Sequence, residues 1–317
     1  MNSPDRRAVI DLGTNTFHLL IADVSDEGGI VEVYRERIFV KLASEGIAVI
    51  GEAPFGRGIE ALCHYRRRLD DYAVTDVQAI GTAALRTATN GERFVTEARE
   101  KAGIGIQLIS GDREAEYITE GVLRAVPAVT ERLLIMDIGG GSTEFIIADQ
   151  GGVQWRQSFP LGVSVLCNGF HSSDPISDPE VLALEAHLSV SLAPLRAALI
   201  EFPTHHLVGA AGTFDVLANR LRDPVAPPHP TSHRLDLTEF PALYERIVRA
   251  SLAERVALPD VPEERADMIV VAMILLRFVF RLAGIGRVTV SDYAMKEGIL
   301  GARTPTKYEG AGARDAG

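Results

Sequence analysis

The segment DLGTNTFHLLIAD, residues 11–23, returns as DIGGGSTEFIIAD at residues 137–149. Both copies open on Asp-[Leu/Ile]-Gly and close on Ile-Ala-Asp, and each follows a short apolar run, AVI in one and LLIM in the other. A chain that builds strand, glycine- and hydroxyl-rich turn, and strand twice is constrained to form two like halves. The twin turns are then expected on either side of a shared cleft. The length of 317 residues agrees, since it exceeds what one core usually holds.

The text around each copy predicts an α/β half. AVID, HLLIADV and GGIVEVYRERIFVKL show stretches of period two and predict a β-meander. A helix is expected from Gly56 to Asp71, then a strand in VQAIGTAALR, a helix ending at Gly103, the strand IQLIS, and a helix capped by Ser110 or Asp112. From ERLLIMDIGGG the strand-turn-strand pattern starts again. Helices follow at PEVLALEAHLSVSLAPLRAALIEF, then a strand HHLVGAAGT, a helix FDVLANRL, two more helices, a strand RVTVSD and a helix AMKEGIL. RDPVAPPHPTSHR reads as a proline-rich loop or flap. The halves are assigned to residues 1–122 and 123–303, with 304–317 a frayed tail. MIVVAMILLRFVFRLAGI, interrupted by Arg277 and Arg281, predicts a buried helix rather than a membrane span.

A formal charge of −11 argues against a general nucleic-acid coat or an anionic-membrane binder, yet leaves room for a local basic pocket. The two cysteines, Cys63 and Cys167, are isolated, which suits a reducing compartment. The N-terminus runs straight into the first strand without a signal-peptide pattern, so a cytoplasmic protein is expected.

The chemistry of the turns is legible. Gly139, Gly140 and Gly141 remove side chains so that backbone N–H groups can face one concavity, and Ser142 and Thr143 add hydroxyls. In the first copy Gly13, Thr14, Asn15 and Thr16 offer the same with more side-chain donors. Such a cradle suits phosphate oxygens. Asp11 and Asp137, at the strand ends, stand where a hard cation bridging those oxygens would want carboxylates, held through water as magnesium prefers. No G-x-x-x-x-G-K-[ST] occurs and none of the four lysines follows a glycine, which excludes a P-loop.

DLGTNTF, GTAALRTATN, SGDREAEYITEGV, DIGGGSTE, PLGVSVL, GAAGT, ERADMI and SDYAMKEGIL resemble, in order, the motifs of the exopolyphosphatase/guanosine pentaphosphate phosphohydrolase (Ppx/GppA) family. The resemblance covers roughly residues 8–301. It implies an α/β fold of two duplicated ribonuclease H-like domains around a central cleft, as in the actin-like ATPase superfamily. It also implies a divalent-metal cofactor, magnesium with manganese as the alternative, and a cytoplasmic homodimer. The implied activity is a phosphoric anhydride hydrolase that releases terminal orthophosphate from inorganic polyphosphate, or alternatively a guanosine pentaphosphate (pppGpp) 5′-phosphohydrolase. The family's two essential glutamates map onto Glu114 and Glu144, its metal-associated aspartates onto Asp11 and Asp137, and its phosphate-contacting turns onto Gly13 to Thr16 and Gly139 to Ser142. Its G-x-x-G-T element, which cradles adenosine in nucleotide-using relatives, maps onto Gly209, Gly212 and Thr213.

Phosphoryl transfer asks a protein for charge neutralisation, alignment and a placed water more than for covalent help. Glu114 is expected in the first turn of a helix at the junction, ionised by the helix N-terminus and aiming water at the outermost phosphorus. Glu144, whose counterpart in the first copy is His18, is expected to complete the acidic site. Arg86 is the first cationic candidate for substrate oxygens, whereas Arg93 is expected in a salt bridge. Phe214, close after the G-x-x-G-T element, disfavours an adenine site, and Glu114, a water-directed carboxylate at the junction without an evident acceptor pocket, separates the hydrolase from two other readings, an ATP-dependent kinase and an actin-type nucleotide-gated protein. The chain resembles the short, two-domain family members, from which little processivity is expected, and the net charge of −11 favours short substrates or a strongly local basic channel.

Overall fold

A computed structural model describes residues 5–26, 28–127 and 130–302; the expected tail, 304–317, lies outside them. The first half runs β1 (Asp5–Leu12), β2 (Thr16–Val24), β3 (Ile30–Phe39), α1 (Glu52–Asp71), β4 (Asp76–Gly81), α2 (Ala83–Thr87), α3 (Gly91–Ala102), β5 (Ile106–Leu108) and α4 (Gly111–Ala125). β1, β2 and β3 form an antiparallel meander and β4 and β5 add parallel to β1, giving the order β3-β2-β1-β4-β5. α1 starts at Glu52, one turn before the expected Gly56, because Pro54 falls in the first turn, where its missing N–H has no helical partner to lose. α3 stops where expected, at a left-handed Gly103, and Ser110 caps α4 by accepting the Arg113 N–H at 3.2 Å.

The second half repeats the plan with insertions: β6 (Leu133–Ile138), β7 (Thr143–Asp149), β8 (Gly152–Phe159), α5 (Val163–Phe170), α6 (Asp178–Ser191), α7 (Ala193–Glu201), β9 (His206–Ala210), α8 (Gly212–Leu221), β10 (Ser232–Arg234), α9 (Phe240–Arg249), α10 (Leu252–Val256), α11 (Ile269–Ala283), β11 (Arg287–Ser291) and α12 (Met295–Gly301). Its sheet has the order β8-β7-β6-β9-β11-β10, with an antiparallel meander followed by β9 and β11 running parallel to β6. This is the ribonuclease H-like arrangement built twice, as in actin-like ATPases. The expected proline-rich loop ends in strand β10, which pairs antiparallel with β11 at the sheet edge. α11 is the apolar run from the sequence and is buried in the second core; among the described residues no single helix is long and apolar enough to cross a membrane.

Strand parity positions the site. In β1, Ala8, Ile10 and Leu12 face the helices of the first half, so Val9 and Asp11 face the other way. In β6, Leu134, Met136 and Ile138 face the outer helices, and Leu133, Ile135 and Asp137 face inward. The inward residues of both sheets share one apolar core that contains Val9, Leu20, Ile80, Ile135, Ile146 and Val208. Both central strands are therefore buried on two faces, which is why they read as unbroken apolar runs.

That middle core is filled by α4 and α12, and the two helices are exchanged between the halves. α4, which closes the first half, packs on β6, β7 and β8; α12, which closes the chain, packs on β1, β2 and β3. Residue 122, where the sequence places the junction, lies in the last turn of α4. The helices cross at two glycines. A Cβ on Gly298 would sit 1.8 Å from the Tyr117 carbonyl oxygen, and one on Gly121 would sit 1.9 Å from that of Ala294.

Candidate active site

The twin turns close in the same way: Gly13 N–H donates to the Thr16 carbonyl at 3.2 Å and Gly139 N–H to the Ser142 carbonyl at 3.0 Å. Their tips meet. A Cβ on Gly140 would lie 2.9 Å from the side chains of Thr14 and Asn15, and one on Gly141 would lie 2.6 Å from the Thr14 hydroxyl. Gly140 and Gly141 are thus required by the close approach of the opposite hairpin, and no residue of the glycine run has a positive φ. The N-terminus of α5 locks the second hairpin, with Val163 N–H on the Gly139 carbonyl at 3.0 Å and Ser164 N–H on that of Gly140 at 2.9 Å. Ser164 also donates its hydroxyl to the Asn15 side-chain oxygen at 2.7 Å, so the Asn15 amide ties the halves together. Thr14 Oγ1 is buried and has no hydrogen-bond partner among the described residues, so it can donate to or accept from a ligand oxygen.

Both hairpins open onto one cavity of about 620 Å³, lined by Asp11, Gly13, Thr14, Asn15, Thr16, Glu114, Asp137, Gly139, Gly140, Gly141, Ser142, Glu144, Gly212 and Thr213 among others. The sequence expectation of a shared crevice is met. Asp11 and Asp137 project from opposite walls, and neither forms an ion pair among the described residues. Burial pushes Asp11 up to about 6 against the pull of Lys296, and pushes Asp137 up to about 8 with the help of Glu144. Glu144 lies directly across from Asp137 in the ladder and takes a hydrogen bond from the Ser158 hydroxyl at 2.6 Å.

Glu114 departs from expectation. It stands in the first turn of α4, but burial and then the neighbouring Glu144 carboxylate drive its carboxyl well above the ordinary glutamate range, overriding the helix N-terminus. Arg86 opposes this from 3.4 Å and is itself held by the Ile109 carbonyl at 2.6 Å. Arg86 is not among the residues that line the cavity, and its guanidinium meets Glu114 and the Ile109 carbonyl beside it. Arg93 pairs with Glu52 and Glu97 at 2.9 Å each, as expected.

The G-x-x-G-T element is divided. Gly212 and Thr213 line the cavity, whereas Gly209 does not. A Cβ on Gly209 would meet the Phe214 ring at 2.0 Å, so this glycine admits the ring of α8 onto β9 and is a packing residue. Phe214 is fully buried in the second core rather than facing the cavity. The Arg265 guanidinium lies over Gly212, where a Cβ would come within 2.3 Å of it, and pairs with Asp215 at 3.4 Å.

Sequence reasoning missed four cavity cations: Arg35, Arg37, Lys41 and Lys296. The first three occupy alternate positions of YRERIFVKL with Phe39 between them, a period-two signal that points all of them to one face. Lys296 sits in AMKEGIL, where only the packing of α12 turns it into the cavity.

The donor set fits a hard divalent ion held mostly by water. Asp11, Asp137, Glu114 and Glu144 all carry raised carboxyls in one cavity, which an added cation would relieve. Among the described residues no three His, Cys, Asp or Glu side chains converge to enclose an ion on their own. Magnesium characteristically keeps its waters and takes one or two carboxylates plus substrate oxygens.

Two ribonuclease H-like halves with their paired hairpins turned onto one acidic cavity place the chain in the class of proteins with the actin-like ATPase fold. Within that class, the chain belongs to the Ppx/GppA phosphatase family, whose model matches residues 20–306. It is similar to a crystal structure of an exopolyphosphatase from Cytophaga hutchinsonii, with 37% identity, a TM-score of 0.88, and coverage of 94% of this chain and 97% of that one. It is 30% identical over 298 residues to a Haemophilus influenzae protein provisionally named an exopolyphosphatase, covering 92% of this chain and 90% of the relative. It is 27% identical to the guanosine-5′-triphosphate,3′-diphosphate pyrophosphatase of Aeromonas hydrophila, covering 94% of this chain but only 59% of that longer protein. The Aquifex aeolicus family member shares the fold, with a TM-score of 0.76 at 24% identity over 95% of this chain and 98% of that one.

Proposed function

We propose that this chain is an exopolyphosphatase that removes terminal orthophosphate from inorganic polyphosphate. The observation that carries the reading is the placement of Glu114 and Glu144 in the cavity onto which both hairpins open. Water held by Glu114 attacks the terminal phosphorus as the bridging P–O bond breaks. The water proton passes to Glu114, and the bridging oxygen departs as the new end of the shortened chain. A carboxyl raised above the ordinary range is a stronger base once ionised, and Arg86 keeps it aimed. The backbone of Gly13 and Gly139 to Gly141, with the hydroxyls of Thr14, Thr16 and Ser142, lines the place where non-bridging oxygens would rest.

Asp11 and Asp137 would hold a magnesium ion, or manganese in its place, through water; such an ion supplies charge neutralisation for the phosphoryl oxygens. Cytoplasmic location and a homodimeric state are part of the same reading, the first favoured by two free cysteines.

Polyphosphate is favoured over pppGpp because Arg265 lies over Gly212, in the element that by the family resemblance would cradle a nucleoside. The test is magnesium-dependent orthophosphate release from short polyphosphate, long polyphosphate, pppGpp and ATP under one set of conditions. Polyphosphate is expected to have the highest kcat/KM. A preference for pppGpp would overturn the substrate assignment, and transfer from ATP to an acceptor would overturn the hydrolase reading.

A further inference from the structure

The register of the two sheets places equivalent residues in two matched rows across the cavity. In the first sheet Asp11 pairs with His18 and His18 with Arg37; in the second Asp137 pairs with Glu144 and Glu144 with Ser158. Cross-strand partners share a face, so each row leads outward from its aspartate over two strand spacings, roughly 10 Å. The duplicated halves have diverged along this row. One is acidic beside the reacting end, and the other ends in a guanidinium.

Charge around the cavity makes that guanidinium decisive. Nine carboxylate side chains line the cavity against five Arg and Lys side chains, so a polyanion cannot be drawn in by the wall as a whole. Three of the five cations already have carboxylates. Arg35 pairs with Glu32 at 2.7 Å and Glu297 at 2.8 Å, Lys41 with Asp267 at 2.7 Å, and Arg265 with Asp215 at 3.4 Å. Among the described residues Arg37 and Lys296 have no carboxylate within 4 Å. Lys296 is buried, and its charge acts on Asp11, His18 and Asp137; Arg37 is exposed at the outer end of the row, with its guanidinium 5.7 Å from the Phe39 ring.

We propose that Arg37 is a specificity-determining residue, which binds the phosphoryl groups behind the terminal one and so selects linear phosphate chains over orthophosphate-sized ligands. This rests on the hydrolase reading above and names which wall receives the rest of the substrate. The chain lies along the first-half row, its reacting end beside Asp11 and Lys296 and its next units reaching Arg37. Arginine presents paired donors that match phosphate oxygens, and an unpaired, exposed guanidinium loses no internal bond in binding them.

The test uses Arg37→Gln and Arg37→Lys in the full chain, with tripolyphosphate and orthophosphate as probes. Calorimetric binding in magnesium is measured together with kcat and KM. Losing a charge-assisted contact is expected to weaken tripolyphosphate binding and raise KM about tenfold in Arg37→Gln, with kcat changed less than twofold. Arg37→Lys should recover part of the loss, and orthophosphate affinity should be the same in all three proteins. Equal tripolyphosphate affinity in wild type and Arg37→Gln, or a parallel loss of orthophosphate affinity, would overturn the assignment. If the wild type itself fails to bind tripolyphosphate, the hydrolase reading fails instead, which keeps the two outcomes apart.

Discussion

Glu114 is pulled two ways. Its place in the first turn of α4 favours the carboxylate, and its burial beside Glu144 favours the acid. Burial wins because the helix end acts within one turn at the surface, whereas desolvation here is nearly complete. The consequence for pH is direct. The water-activating form is the ionised one, and its pKa lies above the ordinary glutamate range, so activity is lost as pH falls through that raised value. Arg86 lowers the value, so Arg86→Gln is expected to move the acid limb of the kcat/KM profile to higher pH while leaving substrate chemistry at the hairpins in place. A pH profile of the two proteins checks this, and an unmoved limb would remove Arg86 from its positioning role.

At the scale of elements, the exchanged pair α4 and α12 sets the distance between the halves. Their crossing depends on Gly121 and Gly298, where a Cβ would enter a backbone carbonyl rather than a yielding side chain. Gly298→Ala is therefore expected to force the helices apart and destabilise the fold by about 1–3 kcal/mol. Thermal or denaturant unfolding reads the loss; a variant as stable as wild type would contradict the close crossing. Elements of this kind mark where the sequence stops being legible. Asp11 and Asp137 are legible because a repeated text puts both at strand ends beside the twin turns. Glu144 came from the family resemblance and from its place opposite His18 in the repeat, and the ladder sets it across from Asp137. The surroundings of Arg86 and Gly209 are not legible locally, since whether an arginine lies beside a carboxylate, and whether a glycine faces a ring such as Phe214, depends on how the chain packs. Lys296 was passed over for the same reason: nothing local in AMKEGIL says that α12 docks on the opposite half. Arg37, by contrast, was available in the alternation of YRERIFVKL.

In the whole molecule, two outer cores and a middle core make a duplicated frame whose halves share one cavity. Polar ties between them at the cavity include Asn15 to Ser164, Lys41 to Asp267 and Arg35 to Glu297, and they are in part exposed. Such contacts contribute little to stability beside the apolar surface buried around α4 and α12. They lie at the cavity instead, where they hold the two hairpins in register. With a formal charge of −11, the frame as a whole repels polyanions, so recognition is confined to the cations inside the cavity. The most direct measurement is single-turnover orthophosphate release from short polyphosphate in magnesium, comparing wild type with Glu114→Gln and measuring substrate affinity in the same samples. Loss of the base is expected to slow release by about 10²–10⁴-fold with affinity within a few-fold of wild type. Release at near wild-type rate by Glu114→Gln would contradict the account, because the cavity would then be hydrolysing phosphoanhydrides without the carboxylate that the fold aims into it.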